Sequence, residues 1–261
     1  MRRTALGFAI AAGIGAARAE PPLAFDAPRH GLELNLGAGP LLYPAYPGAK
    51  IYRVVPFPAL SGGYGDRVDF NLLDALRITA VSLDGFSAGP AGRFRFGRQT
   101  SDDRAQLTGL RSFPDTLELG EFLAYQTGPL WIDLTGTQDV ARAHGGAALE
   151  AHALLSLPLG HVGLEFGPEL RLANHTFNQA FFGIDASRAA STGRPSYRAA
   201  GGVERVGGVA NLEWRLGTHL SLSSFVEYWR LTGSAATSPL VLQGGSADQI
   251  YAGTFLTWRF P

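Results

Sequence analysis

The stretch that decides the fold is residues 147–157, which read AALEAHALLSL. Every second side chain in it is apolar, and the positions between them include Glu150, His152 and Ser156. Successive side chains of a β-strand point to opposite faces. This period of two therefore indicates a strand with one apolar and one polar face.

The same alternation recurs along the chain in segments of roughly ten residues, the length with which a tilted strand crosses a bilayer. In two further segments the apolar members are Leu164, Phe166, Leu170, Leu172, Phe86, Phe94 and Phe96, and the polar members are Glu165, Glu169, Arg171, Ser87, Arg93 and Arg95. Helical periodicity is scarce. The sequence therefore predicts an all-β protein.

The composition excludes several classes of protein. Only 17% of the 261 residues are charged and 46% are hydrophobic. Gly, Ser and Thr interrupt the apolar runs, which excludes a bundle of membrane helices. The chain has no Cys, which excludes disulfide scaffolds, thiolate metal sites and thiol enzymes.

Residues 1–19 have the pattern of a secretory signal peptide. Arg2 and Arg3 precede an apolar run, which the small-residue pattern of 17–19 closes. We expect cleavage after Ala19, a periplasmic N-terminal segment over 20–29 and a barrel over 30–261. Losing three arginines leaves 19 basic against 22 acidic side chains, a formal charge of −3. That balance excludes a general nucleic-acid binder.

Two all-β architectures fit the alternation: a soluble sandwich with its apolar faces inward, and a membrane barrel with its apolar face on lipid. The signal peptide, the strand length and aromatic residues near the segment ends favour the barrel. Those aromatic residues are Tyr43, Tyr125, Trp131, Tyr228, Trp229 and Trp258. We predict a single closed transmembrane antiparallel β-barrel with a polar lumen, located in the outer membrane.

Tight turns alternate with long segments, which predicts about twelve strands with short periplasmic turns and long external loops. The predicted strands are 30–43, 50–61, 66–72, 76–83, 86–97, 115–126, 130–140, 146–157, 162–175, 199–216, 219–232 and 248–260. The long segments 98–114, 176–198 and 233–247 are expected outside. Merging neighbouring strands gives ten as the alternative.

Pro56 and Pro58 lie two residues apart in one predicted strand, so both lack an amide donor toward the same neighbour. We predict a bulge or a local opening in the wall beside this segment. The alternative is an irregular strand end above the membrane.

If the apolar faces meet lipid, the polar faces line the lumen. The predicted lumen-lining residues are Glu33, Arg93, Arg95, Asp133, Glu150, His152, Glu165, Glu169, Arg171, Glu213, Arg215 and Glu227. Charges of both signs can line a narrow channel or form an ion-pair network that plugs the lumen. Twelve strands enclose little space beyond their side chains, which favours the plug.

No catalytic, metal or cofactor-binding constellation is predicted. His152 and Ser156 share a strand face, but positions four apart on a strand are roughly 13 Å apart, too far for a nucleophile and its base. The six histidines form no cluster with metal-ligand spacing, and the paired glycines lack the context of a phosphate loop. We therefore expect no enzyme and no cofactor.

Several separated motifs resemble one known family, the MipA/OmpV family of Gram-negative outer-membrane proteins. In chain order they are YPGAKIYRVVPFP at 46–58, FSAGP at 86–90, FGR at 96–98, LTGL at 107–110, ELG at 118–120, HGG at 144–146, QAFFG at 179–183, GRPSY at 193–197 and SPLV at 238–241. The resemblance covers most of the predicted mature chain.

This resemblance implies an outer-membrane barrel in contact with lipid. It also implies a scaffold that binds a murein lytic transglycosylase and a murein synthase, as the named family member does. Other members are described as antigens, adhesins or stress-response proteins. A narrow small-solute channel and a surface adhesin are therefore the alternatives to the scaffold.

Overall fold

The computed structural model describes residues 31–260, so the predicted signal peptide and the segment 20–29 lie outside the described residues. The strands are β1 Leu32–Pro44, β2 Tyr52–Tyr64, β3 Val68–Asn71, β4 Leu76–Ile78, β5 Val81–Leu83, β6 Phe86–Arg95, β7 Thr116–Thr127, β8 Leu130–Asp139, β9 Ala147–Leu159, β10 Val162–Ala173, β11 Gly202–Arg215, β12 Leu220–Leu231 and β13 Asp248–Phe260.

All thirteen segments belong to one antiparallel sheet that closes on itself. Each strand from β6 to β13 pairs with its sequence neighbour, β13 pairs with β1, and β4 pairs with β6. Both β4 and β5 pair with β6, so they are two halves of one broken strand. The protein is thus a closed twelve-stranded barrel, which confirms the predicted fold and excludes the ten-strand alternative.

The apolar and polar faces are reversed relative to a soluble protein. Large apolar side chains such as Leu149, Phe166 and Trp214 are exposed on the outside of the wall, while Glu150 and Arg171 are buried inside. A soluble sandwich would bury the apolar side chains and expose the charged ones to water. This arrangement fits a barrel surrounded by lipid.

The two ends of the barrel differ. Tight connections such as Asp84–Gly85 and Gly128–Pro129 lie at one end, and long connections lie at the other. The long end carries a 3-10 turn at Thr100–Asp102 and the helices α1 Arg104–Leu107, α2 His175–Phe182, α3 Ala186–Thr192, α4 Gly233–Ala236 and α5 Pro239–Leu242. Within residues 31–260, no helix is long and apolar enough to cross a membrane.

The long connections form a packed structure over the barrel mouth, which we call the cap (residues 45–51, 96–115, 140–146, 174–201 and 232–247). Its core is aromatic: the Phe181 ring lies 5.0 Å from that of Phe113 and 4.7 Å from that of Phe177. A Cβ on Gly146 would lie 2.4 Å from the Phe177 Cα, so only glycine lets α2 approach here. Helix α2 therefore packs directly against the connection that leads into β9.

One part of the wall is incomplete. Strand β2 pairs with β1 along its whole length, but on its other side it pairs with β3 only through 61–64. Within the described chain no strand pairs with Val54–Leu60 on that side. The local opening predicted from Pro56 and Pro58 is therefore confirmed, and β2 is not an irregular strand end.

Candidate functional site

The lumen is occupied by a network of ion pairs centred on Glu150. The Glu150 carboxylate lies 2.5 Å from Arg93, 2.7 Å from Arg171 and 3.5 Å from Arg95. Glu150 lies on β9, whereas Arg93 and Arg95 lie on β6, two strands beyond its neighbour. These contacts therefore cross the interior of the barrel.

A second carboxylate, Glu118, joins the network to the cap. Arg95 donates to both of its oxygens, at 2.5 and 2.9 Å, in the bidentate geometry that guanidinium and carboxylate prefer. His144 Nε2 lies 3.0 Å from the same carboxylate, and the Thr137 hydroxyl donates to it at 2.9 Å. The Arg95 guanidinium also lies over the Phe177 ring of the cap, at 5.0 Å. The lumen and cap thus form one connected structure.

The turn between β3 and β4 folds into the lumen and adds a third carboxylate. Asp74 in this turn is buried and binds Arg77 at 2.8 Å and Arg93 at 3.4 Å. Arg77 also lies 3.4 Å from one carboxylate oxygen of Asp133, and His152 Nδ1 lies 2.7 Å from the other. The turn therefore fills space near the lumen wall that a full-length strand would leave open.

The fourth group surrounds Arg205 on β11. Its guanidinium lies 3.4 Å from Glu169 and 3.8 Å from Glu227, and it stacks over the Trp229 ring at 4.5 Å. The neighbouring Glu204 is also buried and lies 3.2 Å from Arg171.

Two consecutive residues, Glu204 and Arg205, turn inward because of a β-bulge. The pairing between β10 and β11 runs from Arg171 with Arg205 to Leu172 with Val203, which leaves Glu204 without a partner residue. A bulge inserts one extra residue and re-aims the side chains around it. Regular alternation could place only one of the two in the lumen.

The twelve predicted lumen residues divide into two groups. Buried among the lumen contacts are Arg93, Arg95, Asp133, Glu150, His152, Glu169, Arg171 and Glu227. The half-buried ones, all toward the short-turn end of their strands, are Glu33, Glu165, Glu213 and Arg215. The charged interior is thus closed in its middle and more accessible at the short-turn end.

Sequence reasoning missed several members of the network: Asp74, Arg77, Glu118, His144, Glu204 and Arg205. Glu118 had a usable signal, since it alternates with Leu117 and Leu119 exactly as lumen residues do elsewhere. Asp74 and His144 had none, because both lie in connections whose inward fold depends on tertiary packing.

His152 and Ser156 have different partners. His152 binds Asp133, while the Ser156 hydroxyl donates to Glu165 at 3.1 Å. Among residues 31–260, no three His, Asp or Glu side chains are arranged to hold a metal ion. The contacts of these two residues therefore make them part of the lumen packing.

Two ionisable side chains in the cap are strongly perturbed by burial. Burial lowers the pKa of Arg98 to about 10, and its guanidinium donates to the backbone oxygens of Phe181 and Arg111. Burial, reinforced by Asp103, raises the pKa of Tyr46 to about 12. Both side chains are buried in the interior of the cap.

A cleft lies where the cap meets the lumen. About 560 Å³ of space lies between its walls when the open solvent at its mouth is counted. The residues that line it include Tyr43, Phe94 and Phe96 on the side of β1 and β6. On the opposite side they include Arg171, Arg205 and Trp229.

Comparison with known proteins identifies the family of this chain. The family model described as MltA-interacting protein MipA matches residues 36–260. No curated protein matches the chain significantly.

Among solved structures, Neisserial surface protein A shares 9% identity over 90% of this chain and 98% of its own, with a TM-score of 0.27. A bacterial polysaccharide outer membrane secretin shares 8% over 89% and 99%, with a TM-score of 0.45. OprG from Pseudomonas aeruginosa shares 11% over 89% and 97%, with a TM-score of 0.26. Similarity this low says nothing about function. The family match spans nearly all of the described barrel, and the chain belongs to the MltA-interacting protein MipA family.

Proposed function

We propose that this outer-membrane barrel is a non-enzymatic scaffold that binds a murein lytic transglycosylase and a murein synthase. The observation that carries the proposal is membership of a family named for interaction with the murein enzyme MltA. The filled lumen supports it, because ion pairs occupy the space through which a solute would pass. We therefore expect partner enzymes to bind the outer surfaces of the barrel and not its lumen.

The short-turn end is the better candidate for that surface. Short turns of bacterial outer-membrane barrels face the periplasm, where murein lies. The chain enters β1 at this end. The segment 20–29 lies outside the described residues, and we propose that it takes part in the contact. Pro21, Pro22 and Pro28 favour an extended backbone that a partner can pair with.

Photo-crosslinking in intact cells tests the proposal. A photoreactive amino acid at Asp84 or Thr218, both in short turns, should capture a lytic transglycosylase or a murein synthase, whereas the same amino acid at Arg188 in the cap should not. Deleting residues 20–28 should leave a folded, heat-modifiable barrel and weaken the capture. Capture of these enzymes from Arg188 alone would contradict the proposed geometry and favour an external, adhesin-like role.

The non-enzymatic part of the proposal has its own test. His152 is held by Asp133 and Ser156 by Glu165, so no nucleophile and base pair forms between them. Purified protein should therefore show no turnover of phospholipid or murein substrates. A turnover abolished by His152→Ala or Ser156→Ala would overturn this part.

A further inference from the structure

A charged side chain points outward from the middle of the barrel wall. On β7, Leu119, Glu121 and Leu123 are exposed and the residues between them are more buried, so Glu121 has the parity of a lipid-facing residue. It is the sixth of the twelve residues of β7. A strand tilted by about 40° climbs about 2.5 Å per residue, so Glu121 lies roughly 15 Å above the short-turn end, and the apolar band of such barrels is about 25 Å tall. Its carboxyl group therefore lies among acyl chains.

Other polar side chains that face outward from the wall have partners. Arg230 and Asp248 bind each other at 2.7 Å near the cap. The Ser224 hydroxyl donates to Thr254 at 3.1 Å on the opposite side of the barrel. Glu121 is different, because its carboxyl makes no hydrogen bond or ion pair with any residue of the described chain. It is a lone acid on an apolar surface.

Lipid cannot satisfy this carboxyl group. Acyl chains offer no hydrogen-bond partner, and an ionised carboxylate in hydrocarbon is far more costly than a neutral carboxyl. The glutamate side chain is also too short to reach the polar interface, as the longer side chains of lysine and arginine do. Ionisable groups inside a membrane mark contacts with another polar group. Glu121 therefore points to a protein surface that covers it.

The wall beside Glu121 is low enough for such a surface to approach. Pro90 on β6 and Gly136 on β8 lie directly opposite Glu121 in the sheet and share its outward face. A Cβ on Gly136 would lie 3.6 Å from Leu149 Cδ1, its nearest neighbour, which is an ordinary contact. The barrel itself therefore does not require glycine here, although glycine weakens a strand. Glycine at such a position lets another surface come close.

A second copy of this chain is the partner that the geometry favours. All copies insert into the membrane in one orientation, so a twofold dimer has its axis along the membrane normal and each residue meets its own copy at equal depth. A second copy offers no free base, because Arg230, the outward-facing base on the described strands, is paired with Asp248. It does offer another carboxyl group. A neutral carboxyl is both a donor and an acceptor, so two of them are complementary.

We propose that two copies of this barrel associate in the outer membrane through the wall formed by β6, β7 and β8, with their Glu121 carboxyl groups hydrogen-bonded to each other. At least one of the two carboxyls carries a proton, since two ionised carboxylates would repel each other. Pro90 and Gly136 of each copy lie at the contact and let the two walls approach. The contact leaves the short-turn end free for the partner enzymes proposed above.

Because the chain has no cysteine, disulfide crosslinking tests the contact directly. Leu123→Cys and Leu256→Cys place a thiol on β7 and on β13, which is six strands away in the ring of twelve. Both leucines lie four residues from the short-turn end of their strands, and they are 47% and 49% exposed. Oxidation of isolated outer membranes should give disulfide-linked dimers of the Leu123→Cys protein and only monomers of the Leu256→Cys protein.

Energy transfer between copies in phosphatidylcholine vesicles tests the role of Glu121, with dyes attached at Thr218→Cys in an exposed short turn. Glu121→Leu should raise the dissociation constant of the dimer by about tenfold, because the hydrogen bond across the contact is lost. Glu121→Gln should stay close to wild type, since an amide also donates and accepts. Thr254→Leu, on the opposite wall, is the control and should have no effect.

Gly136→Val tests the role of the low wall. The barrel has room for the new Cβ, so the variant should fold and remain heat-modifiable. The added bulk should still weaken the dimer by about tenfold, because it holds the two walls apart. Ala252→Val on β13 adds a side chain of the same size on the opposite wall and should leave the association unchanged.

Several results would overturn the proposal. They are absence of crosslinking in Leu123→Cys, equal crosslinking in Leu256→Cys, an unchanged dissociation constant in Glu121→Leu, or a loss in Glu121→Gln as large as that in Glu121→Leu. A wild-type protein that stays monomeric at every ratio of protein to lipid would also overturn it and would assign Glu121 to a partner of different sequence. If Glu121→Leu does not fold, the crosslinking pair, in which Glu121 is intact, decides the question.

Discussion

At the scale of single residues, Glu150 is the acceptor on which the lumen depends. It joins three arginines from two strands, and all four side chains are buried. Removing one partner of a buried ion pair leaves uncompensated charge and commonly costs about 3–5 kcal/mol.

Glu150→Gln should therefore lower the free energy of unfolding by about 3 kcal/mol or more. The matched control is Glu165→Gln, on the neighbouring strand β10 but half-buried, for which we expect about 1 kcal/mol or less. Urea unfolding of both variants in lipid vesicles measures the difference. Equal losses would mean that burial does not distinguish the two carboxylates.

Tyr46 gives the cap a predictable response to alkaline pH. Its pKa is raised to about 12 from about 10 in the unfolded chain, so the folded state retains the proton more strongly. Stability from this group is fully present below pH 10 and is lost as the pH rises toward 12. Tyr46→Phe should therefore lose less stability over this interval than wild type. Parallel losses in the two proteins would show that Tyr46 is hydrated.

At the scale of elements, the prolines of β2 distinguish an opening from a paired wall. Pro56→Val and Pro58→Val would each add an N–H that faces the opening, where an unsatisfied donor costs about 1–3 kcal/mol. Pro168 lies in β10 between two paired strands, so Pro168→Val faces neighbouring backbone acceptors. We expect lower stability in urea for the first two variants and not for the third. An unchanged or increased stability of Pro56→Val would indicate that the opening is paired or hydrated.

The predictable part of the fold follows from alternation and turn residues. Strand β9 was predicted over 146–157 and spans 147–159, because its apolar face repeats without interruption. The break between β4 and β5 inside 76–83 had no such signal. The inward fold of the turn between β3 and β4, which carries Leu73 and Asp74, had no signal either, because it depends on contacts with residues distant in sequence such as Arg93.

The candidate site was predictable to the extent that regular strands carry it. Alternation places Arg93, Arg95 and Glu150 on one face whatever the partners are. Alternation could not identify Glu204, which faces inward only because of a bulge. It also could not identify His144, which contacts Glu118 from the cap. Bulges and loops follow no fixed period, so only the structure shows that Glu204 and His144 face the network.

At the scale of the whole molecule, the lumen network and the cap close the same passage from two sides. Ion pairs cross the barrel at the level of Glu150, and the aromatic core of the cap lies above them, with Arg95 touching both. A passage for hydrated ions would need a continuous path between these layers. The cleft reaches the network but is lined by paired arginines at its inner end.

We therefore expect the wild-type protein to give no stepwise conductance in planar bilayers, even when all of it migrates as the folded form. The double variant Glu150→Ala with Arg171→Ala removes one acid and one base, so it keeps the charge balance while it empties the centre of the network. It should show small conductance steps, because water and ions can then fill the space that these side chains occupied. Glu165→Ala with Arg215→Ala, near the wider short-turn end, is the matched control and should remain silent. Steps from wild type would establish the narrow channel as the better interpretation, since the network would then be permeable as folded.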